Sequence, residues 1–227
     1  MDETHSSWAG RDERVFVHLP LERRLLEGLR PGACVLDLGC GDGSHMELLS
    51  SAGGRVIGMD VSLDHLGLAR AIAPVVTAAG ERLPFADGSF DLVYLSHVLH
   101  HAWDPSAVLH EIRRVLVPGG ALMLIETCED SPLMRLARTL RPSWESVPVR
   151  SRFRYSELVG YVVASGFRIE ETGQYNVLYW TWGFARRLYP PLERLVRLMI
   201  SIELIAARWL HRYSAYGYVV ARNLSEG

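Results

Sequence analysis

Two groups of residues in this 227-residue chain have the types and spacing that chemistry needs. The first is Asp37-Leu38-Gly39-Cys40-Gly41-Asp42-Gly43, directly after the apolar stretch 33–38. Glycines there permit a tight turn and let the main chain approach a ligand, with N–H groups gathered at the start of the following helix. Asp60 stands 17 residues beyond Gly43, at the end of the next apolar stretch. An acid in that place reaches ribose hydroxyls at the crevice outside the strand ends. A strand-to-helix turn that binds nothing would use the same glycines. The second group is His97, His100 and His101, after the apolar stretch 90–96. Imidazole, with an ordinary pKa of about 6.5, is the natural proton acceptor near neutral pH. On an α-helical turn His97 and His101 share a face and His100 is rotated by about 100° from its neighbour. One of that pair is therefore the candidate to touch a substrate, while the other histidines, with His18, His45 and His110, pack, cap or lie on the surface.

These residues need a scaffold, and the apolar pattern supplies one. Stretches 33–38, 55–60, 75–79, 90–96 and 121–127 are almost continuously apolar, as strands of a parallel sheet covered on both faces are. Between them lie helical patterns at 21–29, 44–51, 62–73 and 105–116. Ser62 and Asp104 stand at cap positions, Pro105 at a first turn, and Pro118-Gly119-Gly120 acts as a stop. Strands separated by helices make right-handed βαβ units, hence a doubly wound α/β domain. Further on, 128–154 is rich in Pro and Arg and reads as a loop with a short helix near 133–140. A helix follows at 155–165, a strand at 167–172 and a last strand at 216–222. The roughly forty residues between those last strands are too many for a hairpin. They contain an amphipathic helix at 191–212, with apolar residues at 192, 195, 198, 199, 202, 205, 206 and 209 and with Arg194, Arg197, Ser201 and Arg208 opposite. The expected architecture is a mostly parallel seven-stranded sheet with a helical insertion between its last two strands.

Composition excludes several chemistries. All 24 basic residues are Arg; without Lys there is no Walker A phosphate loop and no Schiff-base or pyridoxal-phosphate catalysis. Residues 1–130 carry 10 Arg against 19 Asp and Glu, and residues 131–227 carry 14 Arg against 7 Glu. A chain of net charge −2 lacks the positive surface that sequence-independent nucleic-acid binding uses. Its basic second part suits an acidic substrate, an anionic membrane surface or a solvated face. Cys34, Cys40 and Cys128 form no CxxC or Cys/His ligand spacing, so no metal site is expected, and a reducing compartment fits. The polar start MDETHSSWAGRDER lacks the h-region of a secretory signal, and charges interrupt the apolar stretch 192–210, so a cytoplasmic chain without a membrane span is expected.

Four blocks in order resemble the class I S-adenosylmethionine-dependent methyltransferases, in their broad small-molecule group. VLDLGCGDG (35–43) is similar to the family's first motif and GMDVS (58–62) to its second. ERLPFADGSFDLVYLSHVLHH (81–101) resembles the segment around the fourth strand, and DPSAVLHEIRRVLVPGGALMLIE (104–126) the helix and strand that follow. The resemblance covers about 30–127 and, more loosely, YSELVGYVVASGF (155–167). It implies a Rossmann-like fold and S-adenosyl-L-methionine as cofactor. It implies that Gly39, Cys40 and Gly41 lie against the methionine part of the cofactor, with Asp37 organising that loop. By the same resemblance Asp60 binds the ribose hydroxyls, Val61 packs on the adenine, Gly80 and Glu81 flank its edge, and Ser96 and His97 line the cleft near the methyl group. One position departs: where the family often has Asp, this chain has Ala79, which leaves adenine recognition to backbone atoms or another side chain. The third glycine of the G-x-G-x-x-G/A dinucleotide fingerprint is missing, which argues against an NAD(P) enzyme.

The expected enzyme is a single methyltransferase domain over 1–227, with a cofactor core at 30–127 and substrate-side segments at 128–154 and 174–213. Methyl transfer is an in-line displacement that rests on positioning, and a hydroxyl or carbon acceptor also needs a base, for which His97 and His101 are the candidates. Tyr175, Tyr179, Trp180, Trp182, Phe184, Tyr189 and Trp209 could wall a pocket for a small apolar or aromatic acceptor. Alternatively the amphipathic helix lies on a membrane surface, as in a lipid or quinone methyltransferase, or packs on the sheet or a second subunit. A catalytically silent S-adenosylmethionine-binding protein is the alternative from another class. An acidic cofactor half and the absence of an Asn-Pro-Pro-Tyr-type motif argue against nucleic acid, and either a monomer or a homodimer is compatible.

Overall fold

The computed structural model describes residues 22, 26–132, 135, 136, 139, 149–177, 198, 202 and 205–224. Seven strands form one sheet in the order β3-β2-β1-β4-β5-β7-β6. They are β1 (Cys34–Leu38), β2 (Arg55–Asp60), β3 (Val75–Thr77), β4 (Phe90–Ser96), β5 (Leu116–Thr127), β6 (Phe167–Tyr175) and β7 (Tyr216–Asn223). All neighbours pair in parallel except those of β7, which runs antiparallel to both β5 and β6. The doubly wound, mostly parallel seven-stranded sheet expected from the sequence is present. Among the described residues the helices α1 (Ser44–Ser51), α2 (Leu63–Ala69), α3 (Pro105–Val115) and α4 (Tyr155–Ala164) accompany it.

The central strands β1 and β4 and the 121–125 part of β5 are apolar because both faces are covered, whereas the edge strand β6 (FRIEETGQY) is largely polar. On one face Val35, Leu92, Tyr94 and Met123 pack with Met46 and Leu49 of α1. On the other Leu36, Val93, Leu95 and Leu124 pack with Leu109 and Ile112 of α3 and Leu158 of α4. Local signals start the helices. Ser62 Oγ accepts from His65 N–H ahead of α2. Asp104 Oδ1 accepts from Ser106 and Ala107 N–H at 2.9 and 3.1 Å, with Pro105 in the first turn of α3.

Several boundaries differ from the sequence pattern: α2 ends at Ala69 and β3 at Thr77, β6 runs on to Tyr175, and the largest difference is at β5. β5 begins at Leu116, ahead of Pro118-Gly119-Gly120, because Leu116 pairs with Phe90 and the three residues bulge out before pairing resumes at Leu92 and Ala121. The buried Asn223 amide closes this corner by donating to the carbonyls of Arg113, Leu116 and Val117 at 3.1, 3.1 and 3.3 Å, so the end of α3 keeps its acceptors satisfied.

Register aligns the strand ends. Leu38 sits opposite Met59 and Leu95, Ser96 opposite Ile125, and Tyr216 opposite both Thr127 and Tyr175. Everything that follows β1, β2, β4, β5 and β6 therefore leaves from one edge of the sheet. The insertion between β6 and β7 starts and finishes at that edge, and its positions 198, 202 and 205–210 are helical. Tyr179, Trp180, Trp182, Phe184 and Tyr189, the residues 1–20, and most of the expected helix at 133–140 lie outside the described residues; of the expected helix at 21–29 the described positions are 22 and 26, which are helical, and 27–29, which are not.

Candidate active site

The glycine loop is held by β2. Gly39 and Cys40 donate to the carbonyl of Met59 at 2.7 and 3.0 Å, and Gly41 N–H donates to Asp60 Oδ2 at 3.0 Å. Asp60 Oδ1 accepts from Ser62 N–H at 2.8 Å, so this carboxylate joins the loop after β1 to the turn after β2. Gly39 has φ 74, and a Cβ there would stand 2.3 Å from Val98 Cγ2. Gly41 has φ 52 with open space where a Cβ would project. The loop is thus packed against the protein at Gly39 and open at Gly41, which is what a backbone cradle for a ligand requires. Asp37 is buried beneath it. The Cys40 thiol is pushed up to about 12, chiefly by burial and then by Asp37 and Asp60, which leaves it an inert packing group.

Val61 follows Asp60 and is 69% exposed, an apolar side chain offered at the ligand edge. Gly80 packs near Val108, and Glu81 Oε1 accepts from Trp103 N–H at 2.8 Å, so the two expected adenine-flanking residues sit in a loop tied to the turn after β4. Ser96 ends β4.

The histidines are arranged differently from the helical spacing. His97 adopts φ 59, outside any helix, and the 3-10 turn begins only at Leu99 (Leu99–His101). An L-residue in the left-handed region is strained, and this one is held by its N–H on the carbonyl of Ile125 at 2.9 Å. The shared face expected for His97 and His101 does not form. Instead His97 and His100 converge on Glu126 of β5. His100 Nδ1 is 2.5 Å from Glu126 Oε1, and His97 Nδ1 is 3.8 Å from the same oxygen and 3.1 Å from Thr127 Oγ1. His101 stacks on His100 with ring centroids 3.9 Å apart. The sequence reading missed Glu126, the last acid of an apolar strand. It is fully buried, yet its carboxyl is held below the usual range: burial raises it, and the hydrogen bond and charge of His100, the charge of His97 and the N–H of Thr127 outweigh that. His97 is lowered to about 4, first by desolvation, although Glu126 pulls the other way. Tyr216 of β7 packs edge-on against the His97 ring at 5.0 Å.

Chain 149–153 lies over this turn. Arg150 and Ser151 N–H groups donate to the His100 carbonyl at 2.8 and 3.1 Å, and the Arg150 guanidinium covers the Trp103 ring at 3.2 Å. His97, His100 and Glu126 could also hold a cation by their spacing, but the hydrogen bonds of His100 to Glu126 and of His97 to Thr127 already account for the arrangement. Open backbone at Gly41, a carboxylate at Asp60 and a neutral imidazole at His97 therefore share one sheet edge.

The methyltransferase-domain family profile matches residues 36–124. Malonyl-[acyl-carrier protein] O-methyltransferase of Pseudescherichia vulneris is 31% identical over 189 residues, which cover 81% of this chain and 68% of that protein. The chain belongs to the class I S-adenosylmethionine-dependent methyltransferases. Demethylmenaquinone methyltransferase of Corynebacterium kroppenstedtii is another relative, 42% identical over 136 residues, 59% of this chain and 58% of that one. Against several curated relatives the chain spans only part of their length, 56%, 32% and 58% in three cases. The fold recurs in a chain from the complex of the Haloferax volcanii Trm112 methyltransferase activator with a putative methyltransferase, with TM-score 0.68, 21% identity, and 96% of this chain and 95% of that one covered. It recurs also in phosphoethanolamine N-methyltransferase 2 of Haemonchus contortus, determined with S-adenosyl-L-methionine, with TM-score 0.67, 17% identity, and 91% and 52% covered. The family's cofactor is S-adenosyl-L-methionine, and the open glycine loop with Asp37 buried below it and Asp60 at its side fits that group.

Proposed function

We propose that this chain transfers a methyl group from S-adenosylmethionine to a small, apolar or aromatic acceptor. The observation that carries the proposal is the common edge: Gly41 and Asp60 at the ends of β1 and β2 face the same side as His97 at the end of β4. Gly39, Cys40, Gly41 and Asp37 would hold the methionine part, Asp60 the ribose hydroxyls, and Val61, Gly80 and Glu81 the adenine, with Ser96 beside the methyl-bearing end. When bound, the cofactor supplies an electrophilic methyl carbon on a positively charged sulfur.

The chain's own part is to position the acceptor and to take a proton. His97 is uncharged at neutral pH because its site is desolvated. In the tautomer whose Nδ1–H donates to Thr127 Oγ1, 3.1 Å away, Nε2 is the basic nitrogen. Proton acceptance there develops positive charge 3.8 Å from the buried Glu126 carboxylate, which stabilises it. Glu126 is thereby a positioning residue, holding the His97–His100 pair and favouring protonation. His101, stacked on His100, buttresses the turn.

The names of relatives span acceptors as different as demethylmenaquinone and malonyl-acyl carrier protein, so the acceptor is argued from this chain. Tyr175 and Tyr216 pack against each other beside His97, and the aromatic residues of 174–213 are numerous, which favours an apolar acceptor. A labelled-methyl screen of small hydroxylated aromatic and apolar compounds tests this. Turnover that falls on the order of 10²–10⁴-fold in His97→Asn is expected for a proton acceptor. Cofactor binding without turnover of any acceptor would instead mark a silent binding protein.

A further inference from the structure

We propose that the insertion between β6 and β7 docks the protein on an anionic lipid bilayer through Leu198, Ile202, Ile205 and Trp209. These four residues are all at helical positions and are 55%, 49%, 60% and 82% exposed. Within the described helical stretch 205–210, Ile205 and Trp209 lie about 40° apart at about 100° per residue, and α-helical spacing in the sequence puts 198 and 202 on the same face. Ala207 falls on the opposite side of the same helix and is the residue that is buried, packed with Tyr175, Val177, Ala215 and Tyr216. The helix therefore docks on the protein through its small residue and turns its large apolar stripe outward, the reverse of an ordinary surface helix.

Charge selects the occupant. Arg208 and Arg212 at the end of the stripe are exposed, and residues 178–213 hold six Arg against two Glu. An outward apolar stripe with a Trp and flanking arginines matches the interface of a bilayer that carries anionic headgroups. A second copy of the chain fits less well, since a two-fold contact would bring Arg208 and Arg212 towards their own copies. No helix among the described residues is long and apolar enough to cross a membrane, so the contact is peripheral. Because the insertion leaves and rejoins the sheet at the edge that carries His97 and Asp60, docking turns the candidate active site towards the bilayer. The docking itself does not rest on the methyl-transfer reading.

The test uses the full chain with vesicles of phosphatidylglycerol and phosphatidylcholine, or of phosphatidylcholine alone, read by co-sedimentation and Trp fluorescence. Binding to the anionic vesicles is expected, with a blue shift, and with weakening by about tenfold or more at 0.5 M salt and on neutral vesicles. Ile205→Ser with Trp209→Ser should abolish sedimentation, and Arg208→Gln or Arg212→Gln should each weaken it about fivefold. Circular dichroism and calorimetric titration with S-adenosylmethionine show that each variant is folded, and a cofactor titration that fails while lipid binding persists counts against the function alone. No sedimentation of wild type, or equal sedimentation of the serine variant, would overturn the docking. So would a dimer that the serine variant dissociates in the absence of any lipid binding.

Discussion

Folding lowers the proton affinity of His97, and the consequence is measurable. Its pKa lies at about 4 in the folded protein, lowered from 6.5 mainly by desolvation. Between those values the unfolded chain binds the extra proton and the folded one does not. Stability from this group is therefore complete above pH 6.5 and is lost as pH falls towards 4. A gap of about 2.5 units sets a ceiling of about 3 kcal/mol, of which about 2 kcal/mol is lost between pH 7.5 and 5. The side chain keeps 30% of its surface exposed, so solvent screening reduces the expected loss to about 1–2 kcal/mol. Asn is the replacement of choice because it tolerates the left-handed backbone at φ 59. Urea denaturation of wild type and His97→Asn at pH 7.5, 6 and 5 measures the contribution of His97 together with its coupling to Glu126 and His100. Wild type should lose about 1–2 kcal/mol more than the variant over that range. Parallel stability curves, or a His97 ring resonance that titrates at 6.5 or above, would refute the reasoning.

Other outcomes follow from the same geometry. Glu126→Gln removes the carboxylate that favours protonated His97, so turnover should fall about tenfold with little change in KM, and the acidic limb of the rate profile should move to lower pH. Gly39→Ala combines φ 74 with a Cβ 2.3 Å from Val98, and a loss of about 2–3 kcal/mol in thermal or urea denaturation is expected. Gly41→Ala meets open space and should cost about 1 kcal/mol of folding while weakening cofactor binding, a contrast visible by comparing melts with calorimetric titrations. Asp104→Ala removes the cap of α3 and should cost about 1 kcal/mol without changing cofactor affinity.

Much of the fold is legible because its signals are local. Continuous apolar runs mark β1, β2 and β4, Ser62 and Asp104 mark helix starts, and the glycine loop with Asp60 announces a ligand edge. Glu126 was hidden because it ends an apolar strand and stands 26 residues from His100 and 29 from His97 in the sequence. Only the pairing of Ser96 with Ile125 brings it under them. His97 and His101 do not share a face because His97, at φ 59, stands ahead of a 3-10 turn, where α-helical spacing does not hold. Periodicity found the stripe at 198, 202, 205 and 209, but it could not tell which way the stripe faces. The burial of Ala207 decides that.

Calorimetric titration of the full chain with S-adenosylmethionine, run beside Asp60→Ala, tests the central claim most directly. The account predicts saturable binding at one site in wild type. It predicts a loss on the order of 10–100-fold in the variant, from charge-assisted hydrogen bonds to the ribose and from the Gly41 N–H that Asp60 holds at 3.0 Å. Absence of binding by wild type, or equal affinity in Asp60→Ala, would contradict it.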